Sequence, residues 1–210
     1  MPVFLVNSAL NLKISGKLTT PFNIMTTFFF RRSVEKAFQL DEFPSSLSLS
    51  LSKPLDSNAP YIISAVDDVM YIVNTVLQRS LSTSQRDVIA SVVPTIGRVL
   101  GSDFIGMIQR KMRDESYPKP VIQGGFPPEN KIIDFIVLIN SLDVANDYVA
   151  RIVAAQLESA PSQQTNGDKH SDSPGLSKSF PFDHDAVFVA NAFSALSTNF
   201  STKADRKSVV

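Results

Sequence analysis

The chain has 210 residues and no cysteine. Disulfides, thiolate catalysis and thiolate metal sites are therefore excluded. No surplus of charge exists either, since 20 Lys and Arg balance 20 Asp and Glu. Binding to phosphate backbones needs clustered cations, so the balance argues against nucleic acid as a partner. The sequence lacks both common glycine-rich phosphate loops and the G-x-S-x-G nucleophile elbow. Long hydrophobic runs are absent too: the most apolar internal stretch, residues 132–139, is interrupted by Asp134. It falls far short of the roughly 20 apolar residues a membrane-spanning helix needs. At the N-terminus no Lys or Arg precedes the short apolar run 2–6, and Lys13 and Lys17 interrupt the residues after it. Those features do not make a secretion signal. The composition itself is that of an ordinary globular protein, 43% hydrophobic and 19% charged.

Prolines divide the chain into blocks, and between them apolar residues recur at helical spacing. The first block, residues 28–43, carries Val34, Ala37, Phe38 and Leu40. The second, residues 59–81, aligns Ile62, Val66, Val69, Val73 and Val76, flanked by Ile63, Met70 and Leu77. That stripe is wider than a coiled-coil seam and predicts burial against more than one neighbour. The third opens on Ser82, Thr83 and Ser84 as candidate caps and continues to Arg113. It predicts a rod of about 45 Å, kinked at Pro94, which cannot donate to the Ala90 carbonyl. Gly97 and Gly101 in it read either as a close helix approach or as simple weak points, and the second reading is preferred on helix propensity. The fourth block starts at Pro128 and Glu129 and ends before Pro161. Residues 161–181 are dense in polar residues and predict a disordered linker. A fifth block starts near Asp183 and aligns Val189, Phe193, Leu196 and Phe200. The alternating Leu and Ser of residues 47–52 suggest a strand by period, but no second strand offers to pair with it, so a loop is expected.

Candidates for chemistry are few. Asp183, His184 and Asp185 offer three metal-ligating side chains, but neighbours on a helix point about 100° apart. A helix start with acids favourable to the dipole is the plainer reading. Asp67 and Asp68, the carboxylate pair inside an apolar helix, face apart for the same reason. Residues 109–113 form the strongest basic cluster and read as a solvated helix end. No catalytic, cofactor-binding or metal-binding residue is assigned, no cofactor is expected, and the chain does not read as an enzyme.

Several segments in order carry a family likeness. They are Phe28-Phe29-Phe30-Arg31-Arg32-Ser33-Val34-Glu35-Lys36-Ala37, Ser64-Ala65-Val66-Asp67-Asp68-Val69-Met70-Tyr71-Ile72-Val73 and Arg79-Ser80-Leu81-Ser82-Thr83-Ser84. Leu100-Gly101-Ser102-Asp103-Phe104, Lys111-Met112-Arg113 and Leu138-Ile139-Asn140-Ser141-Leu142-Asp143-Val144 continue the series. Together they resemble the fourth subunit of the conserved oligomeric Golgi (COG) complex, from about residue 28 to 200 and over a middle portion of that longer chain. The resemblance implies an all-α fold, an elongated helical bundle of the helical-rod tether type, here incomplete. It divides the chain into four parts: an unmatched segment 1–27, disordered or a gene-model artefact; a helical-bundle segment 28–160; the linker 161–181; and the truncated start of a further helix, 182–210.

The function implied is a non-enzymatic part of a Golgi vesicle tether acting in retrograde intra-Golgi transport, and thereby in Golgi organisation and glycosylation. Implied partners are the other subunits of the complex, Golgi SNAREs and Sec1/Munc18 regulators. The implied location is peripheral, on the cytoplasmic side of Golgi membranes. The alternative is an unrelated helical scaffold or adaptor, although the blocks show no shared repeat.

Overall fold

The computed structural model describes residues 8–45, 47–50, 52–53, 61–158, 179–180 and 182–207. Among these there are helices and no strands. A short helix α1 (Ala9–Lys13) runs through a wide turn (Ile14–Leu18) into α2 (Thr19–Gln39). Next come α3 (Ser64–Ser82), α4 (Arg86–Val99), a second wide turn (Leu100–Phe104), α5 (Ile105–Arg110) and a third (Lys111–Glu115). α6 (Glu129–Glu158) and α7 (Asp183–Lys207) complete the bundle. α2, α3, α6, α7 and α4 pack in that order around a common core, with α4 also touching α3.

The core is the one written in the apolar spacing. Ile63, Val66, Val69, Val73 and Leu77 of α3 are buried, as are Val189, Phe193, Leu196 and Phe200 of α7. Phe104 lies at the centre, its ring 5.7 Å from Phe38 of α2 and 6.3 Å from Phe200 of α7. Three helices are thus joined through one aromatic line.

Four features differ from the sequence expectations. The first helix begins well before residue 28, because Thr19, Phe22 and Phe30 of α2 already lie against the core. Residues 8–27, expected to be disordered or extraneous, are helical from Ala9 onwards. The helix from Arg86 continues through Pro94, which is exposed, so the Ala90 carbonyl it leaves unbonded lies on the solvent side. An irregularity that the sequence did not predict falls at Leu100–Phe104, where the Ile105 amide bonds back five residues to the Leu100 carbonyl. Of the expected caps, Ser82 ends α3, Thr83 and Ser84 form the turn and Gln85 takes the cap position of α4: Ser84 has a positive φ of 51° and the Gln85 amide donates to Thr83 Oγ1 at 3.2 Å. Of the expected linker 161–181, only Ser179 and Phe180 are described, and Phe180 is 1% exposed, locked into the core. α7 is therefore a packed member of the bundle, against α4 and α6.

Residues 47–50 form a loop, as expected, and it is tied down by α6. Glu129 Oε1 accepts from the Leu49 amide at 2.7 Å and from Ser48 Oγ at 2.9 Å. These two bonds, the backbone one first, hold the Glu129 carboxyl below its ordinary value. A depressed carboxylate pKa stabilises above the ordinary glutamate range and loses that contribution as pH falls through the lowered folded value. Amide exchange at Leu49 should accelerate on acidification through that window beyond the intrinsic pH trend. Glu129→Gln should abolish the extra step.

The glycine pair marks a helix crossing. A Cβ at Gly97 would stand 3.3 Å from Leu196 Cδ1 of α7, and one at Gly101 would meet the Lys203 side chain. At Gly97 this is a close approach to a buried side chain rather than a mere weak point. The two differ in tolerance, because Leu196 is buried whereas the Lys203 chain is exposed and can swing aside. Gly97→Leu is expected to cost about 1–3 kcal/mol by overpacking. Gly101→Ala should change stability by less than about 1 kcal/mol. Urea denaturation of the two variants checks the contrast.

Arg86–Glu115 is the one helix among the described residues that is long and apolar enough to cross a membrane. More than half of its apolar window is buried against neighbouring helices, which is how the core helix of a bundle passes the same test.

Candidate interaction surface

The residues singled out for chemistry do not converge. Among the described residues no group of three His, Cys, Asp or Glu could hold a metal ion. Asp183 and Asp185 fall in the first turn of α7, where acids suit the helix dipole. Asp185 turns towards α4 and meets Arg86 at 3.4 Å, while the His184 ring stays largely in solvent with Nε2 3.3 Å from Asp185 Oδ1. Arg86 also stacks 4.5 Å from the centre of the Phe188 ring, so this corner fastens the start of α7 to the start of α4.

Asp67 and Asp68 are exposed and diverge around Tyr71, which is 73% exposed. Asp67 faces a shallow groove towards α6 and interacts with Tyr148; burial first, then the Asp67 charge, raises that phenol above its ordinary pKa. Asp68 lines an open groove of about 450 Å³ between α2 and α3, together with Arg32, Lys36, Leu40 and Tyr71. The grooves are separate, open to solvent and of mixed charge, and neither gathers an acid, a base and a nucleophile.

The basic cluster is mostly committed internally. Arg113 forks onto Asp114 at 2.7 and 3.0 Å. Lys111, read from sequence as part of a solvated helix end, is drawn inward to the Asp41 carboxylate and sits 5.4 Å from the Phe43 ring centre. Asp41 also accepts from the Ala65 amide at 3.0 Å, capping α3. Lys111 stood out by sequence only as part of the basic cluster and Asp41 not at all, because nothing local links residues 41 and 111.

What the surface does offer is exposed apolar side chains in two places. One is the loop before α6, where Val121, Ile122 and Phe126 flank a turn closed by the Gly125 amide on the Ile122 carbonyl, with Gly124 at φ 82°. That φ, with the hydrogen bond, makes a type II turn and explains glycine there. The other is the outer side of α1 and α2, including Leu10, Leu18, Ile24, Met25, Phe28 and Phe29. Exposed apolar surface of this kind marks interaction sites.

A family model described as "COG4 transport protein, middle alpha-helical bundle" matches residues 1–112. A second, "Conserved oligomeric Golgi complex subunit 4, C-terminal", matches residues 135–208. The likeness thus takes in the first 27 residues and extends into the C-terminal part of the family, beyond the middle portion that the sequence suggested. Among curated proteins, conserved oligomeric Golgi complex subunit 4 of Arabidopsis thaliana is 29% identical over 136 residues, 64% of this chain and 16% of that protein. The Schizosaccharomyces pombe subunit of the same name is 25% identical over 160 residues, 70% of this chain and 19% of that protein. The chain spans less than a fifth of the length of either relative. No solved structure matches it significantly.

Proposed function

The chain belongs to the family of conserved oligomeric Golgi complex subunit 4, and on that premise we propose that it works as a non-enzymatic segment of a Golgi vesicle tether. Its role is in retrograde intra-Golgi transport, through which Golgi organisation and glycosylation are maintained. Its partners are the other subunits of the complex, Golgi SNAREs and their Sec1/Munc18 regulators, at the cytoplasmic face of Golgi membranes. Within it, residues 28–160 supply most of the bundle and the helix from 182 closes it. The observation that carries the reading is the order of the two matches, middle bundle then C-terminal part, along one helical bundle. The polar side chains support it: Asp41, Asp185, Lys111, Arg86 and Ser141 all bond across helices and serve packing.

The test is an affinity pull-down of the tagged 210-residue chain from a detergent-free extract, read by mass spectrometry. Recovery of other subunits of the complex is expected, and His184→Ala should leave it unchanged. A reproducible set of unrelated partners from soluble protein would replace the tether with a scaffold. A metal-dependent activity lost in His184→Ala would replace it with an enzyme.

A further inference from the structure

The charges of this chain balance overall but not along its length. No Asp or Glu occurs before Glu35, while Lys13, Lys17, Arg31 and Arg32 all do. Ala9–Lys13 and the turn Ile14–Leu18 bury no residue in the bundle, although Leu10, Leu12 and Leu18 are large and apolar. In α2 the core face is Phe30, Val34 and Phe38, four residues apart. Ile24 with Phe28, and Met25 with Phe29, repeat the same spacing on the opposite side, where Phe28 is 66% exposed. Lys17 lies seven residues before Ile24 and Arg32 four after Phe28, so cations stand at both ends of the outer stripe.

We infer that the outer face of α1 and α2 is a contact surface for an anionic lipid bilayer. Three observations favour a bilayer over a partner helix. The stripe lies on the outside of the bundle, directly opposite the face that packs inward. Its side chains are large and flexible or aromatic, the kind that sink into the headgroup boundary when basic residues flank them. Up to Arg32 its charges are of one sign: Arg31 lies 3.9 Å from Asp103 and Arg32 is paired at 2.6 Å with Glu35, the first acid of the chain, which leaves Lys13 and Lys17 without an ion pair among the described residues. Long lysine stems can lay their methylenes on the apolar layer and keep the ammonium at the lipid phosphates. Each lysine near an anionic leaflet strengthens partitioning about fivefold. The inference deepens the peripheral-membrane part of the proposed function by naming the surface and the lipid charge it recognises.

Vesicle flotation of the whole chain tests it, with vesicles of phosphatidylcholine alone and of phosphatidylcholine with phosphatidylserine. Helix content of each variant is verified by circular dichroism. The wild type should float with the anionic vesicles and not the neutral ones, and less so as salt rises. Lys13→Glu with Lys17→Glu should reduce binding at least tenfold, and Ile24→Asp with Phe28→Asp should abolish it. Phe126→Asp, on the other exposed apolar patch, should leave it unchanged. Equal binding to neutral vesicles, or indifference to the lysine changes, would overturn the proposal. So would a wild type that ignores vesicles but self-associates or recovers a protein partner through Phe28, since the face would then be covered by protein. That last result would leave the tether reading standing, because the pull-down reports on it independently.

Discussion

Replacing Asp41 with alanine should lower the unfolding free energy by about 3–5 kcal/mol, the range for a buried ion pair broken from one side. The carboxylate is 1% exposed and accepts from the Ala65 amide, Ser64 Oγ and Lys111 Nζ. It therefore ties the end of α2 to the start of α3 and to the turn after α5. Its loss strands the largely buried Lys111 ammonium and an amide at the α3 terminus. Two companion variants separate these losses. Asp41→Asn keeps an acceptor for the Ala65 amide and should lose about half as much. Adding Lys111→Met to Asp41→Ala removes the stranded charge and should restore most of the ion-pair share. Urea denaturation followed by circular dichroism reads all three; a double variant no more stable than Asp41→Ala would show that the stranded lysine is not the cause.

Phe104→Ala should be comparably damaging, about 3–5 kcal/mol, as expected for a large aromatic removed from a close-packed core. Phe104 has no solvent exposure and links Phe38 to Phe200, so the cavity opens between three helices at once. Each ring pair contributes about 0.5–1.5 kcal/mol beyond area burial. Phe104→Leu refills most of the volume without the ring geometry and should cost no more than about 2 kcal/mol. Because α7 reaches the core partly through this contact, Phe104→Ala should also speed amide exchange along Val189–Phe200 more than along α3. Uniform acceleration across both helices would mean that the line of rings does not anchor α7 in particular.

The parts of the fold legible in the sequence are those where one face is buried and the other is wet. The stripes of α3 and α7 are written at 3.6-residue spacing because only one side of each helix meets the core. The start of α2 was illegible for the converse reason: Phe30 is buried and Phe28 and Phe29 are exposed, so both sides are apolar and no period emerges. Tertiary choices left no local trace either. Asp41 and Lys111 are seventy residues apart, and the two Gly97 readings differ only in whether Leu196 lies across it. The wide turns have no signature in composition, and Pro94, the conspicuous helix breaker, sits on the solvent side of a helix that runs on through it. Family membership was legible through the likeness of ordered segments, not through a site. The outer face of α2 went unread because exposure cannot be told from apolarity alone.

The wide turn at Leu100–Phe104 has a further consequence. An extra residue in one turn rotates everything downstream by about 100° relative to what precedes it. Ile105, Ile108 and Met112 point into the core, and Lys111 reaches Asp41, only because that offset has been inserted. Deleting Ser102 and closing the turn to an ordinary α-helical one should therefore leave the same side chains facing the core, because the lost residue and the lost offset cancel. The wide turn thus stores one residue that the angular phase of the distal half does not need, a slack in chain length that a deletion there can take up without turning the core face outward.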